Sequence, residues 1–262
     1  MIEGMPWHED PSHPFAGIFQ KLKRADDNIA SLHDEILAFV QSCKYPVLPN
    51  IENAKEFLDA VGYFKNLVIP KRFSVLSGEI VHHLRSSLDH ITWHFSNAEY
   101  RIKSENAIEF PVFRIDPLTQ AAKDRYERKI KGISNPNALS LIRDLQPYRR
   151  GSDAEDDPIC IVHDMDRFDK HRELAIVHSG AGIIISRTSP GLRQAFNKHK
   201  KGESPSAEDL LAIYRTLKGD ATVFPQIVFP KFGKENGKPV IQALIHLREA
   251  ISERVDLFAR LI

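Results

Sequence analysis

Residues 79–94 constrain the fold of this chain more than any other stretch, because they combine a helical apolar pattern with a dense set of polar side chains. The apolar residues recur every three or four positions, which predicts a helix with one stripe packed against a core; they are Ile80, Leu84, Leu88, Ile91 and Phe95. The same stretch carries four histidines, an arginine and an aspartate. Packing requires only the apolar stripe, so the polar residues form either a solvated face or a functional site.

The same helical spacing recurs along most of the remaining chain. The longest predicted helix covers residues 14–43, and a second one closes the chain over 238–262. Between these two, helices are predicted over 73–97, from a cap at Asp116 to Lys131, from Asn135–Pro136 onward and from Pro158 onward. Helices would therefore account for most of the folded mass.

Short runs of β-branched, aromatic and small residues predict a smaller β component. Strands are expected at 60–70, paired with 45–49, in two segments of 173–187 joined by a turn at Ser179–Gly180, and at 223–229. At Ser179–Gly180 a β-bulge is the alternative to the turn. Two connections are also predicted, an extended segment at 108–113 and a loop at 151–157. The predicted fold class is α+β, mainly a helical bundle with a small antiparallel sheet.

No internal repeat and no linker divides the sequence, so residues 1–262 are expected to form a single domain. Residues 188–220 are polar and rich in Lys, Gly, Ser and Pro. We expect them to form a polar insertion with one short helix near 207–217.

Composition narrows the classes of function. The net charge of +1 comes from 36 basic and 35 acidic residues, which argues against a protein that coats nucleic acid by charge alone. Two distant cysteines, Cys43 and Cys160, form neither a disulfide framework nor a zinc finger, and they favour a reduced cytoplasmic location. The amino-terminal residues do not resemble a signal peptide, and no apolar run reaches the roughly 20 residues of a membrane helix. No phosphate-binding loop or dinucleotide fingerprint occurs, so no cofactor is expected.

One motif in the 79–94 stretch suggests a family. Arg85 and His90 are separated by four residues, and this spacing resembles the signature of the HEPN superfamily, whose members are helical, usually dimeric and often metal-independent ribonucleases. The resemblance implies an RNA substrate, a homodimer, proton transfer by His90 and contact of Arg85 with a phosphate oxyanion. These chemistries suit the residue types, since imidazole titrates near neutral pH and guanidinium matches phosphate. Asp89 and His82 would orient the pair.

A second motif, Asp166-Arg-Phe-Asp-Lys-His-Arg172, follows an apolar helix. Together with the Leu-Arg-Ser-x-Leu-Asp-His helix and Gln146-Pro-Tyr, it resembles a group of uncharacterised bacterial proteins over most of residues 76–175. In one interpretation Asp169, His171 and Arg172 face Arg85 and His90 across a cleft. In the other, Asp89 or Asp169 pairs with a buried arginine and locks one helix against another, since an unpaired buried charge is costly.

A metal site is the alternative for the same helix. At about 100° per residue, His83, His90 and His94 fall within a band of roughly 40° around the helix axis. Histidines on one helix face can bind zinc, with Asp89 or His171 completing the shell.

Basic residues outside these motifs are also candidates for phosphate contacts. Arg149 and Arg150 follow Tyr148, whose ring could stack on a base, and a Lys-His-Lys-Lys run occupies 198–201. The alternative for both is an ordinary solvated surface.

Three hypotheses follow from the sequence. The first is a metal-independent endoribonuclease or RNA-binding protein of HEPN-like type. The second is a non-enzymatic helical binding protein whose Arg, Asp and His network is structural. The third is a metal-dependent hydrolase with a three-histidine site.

Overall fold

The computed structural model describes residues 10–44, 53–104, 108–171, 178–185, 221–229, 232–235 and 237–262. Within these ranges the chain is mostly helical, and the α-helices are α1 (Ala16–Ser42), α2 (Ala54–Lys65), α3 (Lys71–Phe95), α4 (Ala98–Lys103), α5 (Gln120–Ile130), α6 (Pro136–Asp144), α7 (Pro158–His171) and α8 (Val240–Ala259). Short 3-10 helices cover Pro147–Asp156 and Gly233–Glu235. No helix in these ranges is both long and apolar enough to cross a membrane. The predicted helical fold class is confirmed.

Helix α3 lies at the centre of the bundle and packs against α1, α7 and α8. Its predicted apolar stripe is confirmed, because Ile80, Leu84, Leu88 and Ile91 are all completely buried. Helix α1 supplies the facing surface with apolar residues at the predicted helical spacing, namely Ile18, Leu22, Ala25, Ile29 and Leu32. Burial of these facing stripes is the main force that holds the bundle together.

The β structure in the described ranges is one pair of strands beside α2. Strands β1 (His178–Ile185) and β2 (Ala221–Val228) are antiparallel, with His178 opposite Val228 and Ile185 opposite Ala221. The strand predicted at 223–229 is therefore confirmed. The turn or bulge predicted at Ser179–Gly180 does not occur, because both residues lie inside β1 and pair one to one with Ile227 and Gln226. The predictions for 45–49, 173–177 and the insertion at 188–220 fall outside the described residues.

The strand predicted at 60–70 is also wrong, because most of it belongs to α2. The apolar residues of this run continue a helical stripe that begins at Phe57 and includes the buried Ala60, Val61 and Phe64. Asn53 caps the helix by accepting a hydrogen bond from the Glu56 amide at 2.7 Å. The run that starts at Ala60 leaves out both the cap and the first turn of the stripe, so on its own it resembles a strand.

Three boundaries further along the chain test the cap predictions. Asn135 accepts hydrogen bonds from the amides of Asn137 and Ala138, so the predicted start of α6 is confirmed. Helix α5 begins after Thr119, not at Asp116, because the Thr119 side chain is the one that accepts the capping bond. The loop predicted at 151–157 is mostly 3-10 helix, interrupted at Gly151, whose positive φ of 60° suits glycine.

Gly78 makes the close approach of α3 and α7 feasible, and this yields a prediction about stability. A Cβ at Gly78 would lie 2.7 Å from the Asp169 carboxyl group. Gly78→Ala should therefore lower the free energy of unfolding by about 1–3 kcal/mol through overpacking. The matched control is Gly62→Ala at an exposed position of α2, where a Cβ meets nothing within 4 Å; alanine there should stabilise by roughly 0.5–1 kcal/mol. Urea unfolding of both variants measures the contrast, and equal effects would contradict this packing.

Candidate functional site

The interface between α3 and α7 carries polar residues along its length. The Asp169 carboxyl group packs against Gly78. One turn along α3, Nδ1 of His82 lies 3.1 Å from Oδ1 of Asp166. Another turn along, Arg85 has the largest electrostatic effect of any charged residue on His163. The two helices are therefore antiparallel here, and residues three or four apart on each helix meet in sequence.

At the centre of this region Arg85 and Asp89 together bind the backbone of Phe110, and we call this pair of contacts the grip on Phe110. Nη2 of Arg85 donates to the Phe110 carbonyl at 2.9 Å, and Oδ1 of Asp89 accepts from the Phe110 amide at 2.8 Å. The two side chains also pair with each other at 2.8 Å. Since they are four positions apart on α3, they lie one above the other and present a donor and an acceptor to one extended residue.

Gln146 binds the backbone of the next residues of the same extended segment. Its Nε2 donates to the carbonyls of Pro111 and Ile142, at 2.9 and 3.0 Å, and its Oε1 accepts from the Phe113 amide at 3.2 Å. The Phe113 carbonyl accepts from the Tyr148 amide at 2.9 Å. In the predicted extended segment 108–113, three side chains and the Tyr148 amide therefore bind backbone groups that a neighbouring strand would otherwise pair.

Arg85 is part of a longer chain of charges. Its side chain is only 4% exposed, and Nη2 also lies 3.6 Å from Glu109, which in turn pairs with Lys129 of α5. Burial lowers the pKa of Lys129 to about 8, and the charge of Arg85 acts in the same direction while Asp89 opposes it. Nη1 of Arg85 is buried and has no hydrogen-bond partner among the described residues.

His163 is the neutral member of this cluster. Burial lowers its pKa to about 4, and the nearby positive charges of Arg85, Lys129 and Arg114 lower it further, while Asp164 opposes the shift. The imidazole is therefore uncharged at neutral pH, since the charged form is disfavoured by both burial and like charge.

His82 and Asp166 form a histidine–carboxylate pair with contrasting exposure. The Asp166 side chain is 8% exposed, whereas that of His82 is 52% exposed. A buried carboxylate on one ring nitrogen fixes the orientation of the imidazole, while about half of the His82 side chain stays exposed to solvent. This arrangement can transfer protons to or from a bound molecule.

The predicted pairing of Arg85 with His90 does not occur within the chain. Residues five positions apart on a helix project about 140° from each other. Arg85 is buried against Phe110, whereas His90 is exposed on the side of α3 that faces Lys21 of α1. Burial lowers the pKa of His90, with Lys21 adding to the shift and Asp89 opposing it. The orienting role predicted for Asp89 is instead a contact with Arg85 and Phe110.

The predicted three-histidine metal site is wrong. His83, His90 and His94 share one side of α3, but His83 is seven and eleven positions from the others, or about 10 and 16 Å along the axis. No set of three or more metal-binding side chains is clustered in the described parts of the chain. The ring of His94 instead packs against Phe15, with centroids 5.1 Å apart. The three imidazoles share an angle around the helix axis, but the rise along the axis keeps them apart.

The second motif reaches α3, but not at Arg85. Asp169 packs at Gly78, which precedes Arg85 by about two helical turns, so the cleft predicted between them is not formed by these residues. His171 is the last residue of α7, and its side chain, like the whole of Arg172, falls outside the described residues.

Several residues of this region were missed by sequence reasoning. They are Glu109, Phe110, Lys129, Gln146 in its bonding role, and His163. His163, Asp166 and Asp169 recur every three residues, and this spacing was the available sign that they share one face of α7. Glu109 and Lys129 carry no comparable sequence signal, because only the fold brings them together.

Comparisons of the chain with protein-family models, curated proteins and solved structures find no match.

The grip on Phe110 predicts a graded loss of stability. Asp89→Ala leaves the Phe110 amide without its acceptor and the buried Arg85 without its nearest carboxylate, so we expect a loss of about 1–3 kcal/mol in the free energy of unfolding. Asp89→Asn retains an acceptor oxygen and should cost less. His90→Ala, one position along, is the control and should change stability by less than about 0.5 kcal/mol. Chemical denaturation that ranked His90→Ala with Asp89→Ala would contradict the grip.

His163 predicts a pH dependence of stability. Its pKa is lowered to about 4 in the folded protein, so below its ordinary value of 6.5 the unfolded chain takes up a proton that the folded chain does not. Stability should therefore fall as pH drops from 6.5 towards 4. His163→Gln removes this contribution, so its urea midpoint should fall less between pH 7 and 5 than that of the wild type. His33→Gln, at an exposed site on α1, is the control. Equal losses for His163→Gln and the wild type would exclude this role.

Proposed function

We propose that the protein is a non-enzymatic helical binding protein in which the Arg85, Asp89 and His network maintains the fold. The observation that carries this proposal is the use of Nη2 of Arg85, which contacts the Phe110 carbonyl, Asp89 and Glu109 at once. An arginine that stabilises a phosphate must present its donors to the substrate. A guanidinium that is 4% exposed and already bonded serves packing better than catalysis.

The environment of the ion pair supports the same role. The Phe110 ring is completely buried and meets Phe258 of α8 edge to face, with centroids 6.3 Å apart. Diverting Arg85 to a substrate would release the Phe110 carbonyl and loosen this contact.

The partner we propose is RNA. The predicted homodimer, cytoplasmic location and HEPN-like relationship form part of the same hypothesis.

A metal-independent endoribonuclease is the second candidate, and the His82–Asp166 pair is the observation that favours it. His82 is exposed and oriented by a buried carboxylate, and it lies one turn from Arg85, whose Nη1 is without a partner among the described residues. In that mechanism His82 would take the proton of a ribose 2′-hydroxyl, and Arg85 would contact the phosphate. His90 would take no part.

RNA cleavage in chelator separates these functions. We expect the purified wild type to leave a single-stranded RNA intact, and His82→Ala and His90→Ala to behave in the same way. The second candidate predicts instead that wild-type cleavage falls by about 10²–10⁴-fold in His82→Ala and is unchanged in His90→Ala. Loss in His90→Ala alone, at unchanged thermal stability, would support the HEPN-like mechanism and contradict the proposed binding role.

A further inference from the structure

A surface of arginines and aromatic rings lies next to the segment held by Gln146. We call it the arginine–aromatic surface, and it consists of Phe113, Tyr126, Tyr148, Arg125, Arg143 and Arg149. It brings together α5, α6, the end of the extended segment and the start of the first 3-10 helix. The sequence indicated only Tyr148 and Arg149 as a candidate stacking and phosphate-binding pair.

The rings of this surface are fixed by contacts with one another and with the backbone. Phe113 and Tyr126 pack edge to face, with centroids 5.4 Å apart and an interplanar angle of 70°. Tyr148 is tied to Phe113 by a backbone hydrogen bond of 2.9 Å. The rings are therefore held by the same segment that Arg85, Asp89 and Gln146 position.

The arginines are exposed and arranged around these rings. The Arg125 guanidinium lies 5.8 Å from the centre of the Phe113 ring, and that of Arg149 lies 5.5 Å from the Tyr148 ring. Arg143 and Arg149 are charged neighbours of the Tyr126 hydroxyl. Among the described residues, no carboxylate lies within ion-pair distance of Arg125, Arg143 or Arg149. Within the described ranges, three positive charges therefore have no carboxylate partner and can bind an external anion.

The Tyr126 hydroxyl provides an independent sign of a ligand. Tyr126 is 7% exposed, and the one hydrogen-bond partner of its hydroxyl among the described residues is the Arg143 guanidinium, which can only donate, so the hydroxyl proton has no acceptor there. Burial raises the pKa of Tyr126 to about 12, so the hydroxyl keeps its proton and can donate to an anionic oxygen. A buried donor without an acceptor is costly unless a ligand or water supplies one.

We infer that the arginine–aromatic surface binds single-stranded nucleic acid, with phosphates at the arginines and a base stacked against Tyr148. This inference deepens the binding role proposed above and rests on it. Arginines combined with aromatic faces favour a single strand, because the bases of a duplex are not free to stack on side chains. An acidic protein segment could use the arginines but would gain little from the rings.

The salt dependence of binding tests the arginines. The probe is a fluorescein-labelled single-stranded RNA of about 16 nucleotides, followed by fluorescence anisotropy with the full chain. Arg125→Ala, Arg143→Ala and Arg149→Ala together should weaken binding at least about tenfold and reduce the slope of log K against log salt by about 2. Arg149→Ala alone should reduce the slope by about 0.7. The matched control is Arg24→Ala, which removes an exposed arginine of α1 and should leave the slope unchanged.

Two further binding measurements test the stacking ring and the class of ligand separately. Tyr148→Ala should weaken RNA binding about tenfold and leave the salt slope unchanged, because stacking releases no counterions. The same oligonucleotide as DNA distinguishes a general single-strand site, which binds both, from one that prefers RNA through its 2′-hydroxyl groups. Equal binding of DNA and RNA and a preference for RNA both support the inference.

Three outcomes would overturn it. The wild type could fail to bind the labelled RNA, or the triple arginine variant could bind as the wild type does. Poly-glutamate could also compete as well as unlabelled RNA with Tyr148→Ala having no effect, which would identify an acidic protein partner. Electrophoresis of the RNA after the titration distinguishes the two proposals. Degraded RNA would contradict the proposed non-enzymatic role. The binding of the variants alone tests whether the arginine–aromatic surface is the binding site.

Discussion

The grip of Arg85 and Asp89 on the backbone of Phe110 is the interaction on which the rest of this structure depends. It joins the central helix α3 to a segment that belongs to no helix or strand, and it does so with one donor and one acceptor placed a helical turn apart. The Phe110 ring is thereby fixed in the core against Phe258. The segment then leads into α5, while Gln146 binds its far end, so the positions of α5 and α6 follow from the same contacts.

A buried arginine requires compensation, and the surrounding charges show how it is provided. Asp89 and Glu109 lie on the side of Nη2, Lys129 pairs with Glu109, and His163 stays neutral beside the guanidinium. Removing Asp89 leaves the buried charge of Arg85 without its nearest counterpart, which costs more than the pair contributes. This asymmetry explains why the arginine of an Arg–x4–His motif can be required by a fold without serving catalysis.

The helical part of the fold could be predicted from the sequence because its period is local. The stripe of α3 and the Asn135 cap needed no tertiary information. The strand prediction at 60–70 failed because this run does not include Phe57 and the cap at Asn53, which together indicate a helix. The site was harder, since Glu109 and Lys129 meet only through the fold. The three-histidine hypothesis failed for a simpler physical reason, because residues aligned in angle were too far apart along the axis.

Amide hydrogen exchange at Phe110 tests the central claim most directly. The Phe110 amide belongs to no helix or strand, and its acceptor is Oδ1 of Asp89. If the grip exists, this amide exchanges slowly in the wild type and rapidly in Asp89→Ala, while amides within α1 change far less. Rapid exchange at Phe110 in the folded wild type would show that the segment is not held by α3, and it would contradict the structural role assigned to Arg85 and Asp89.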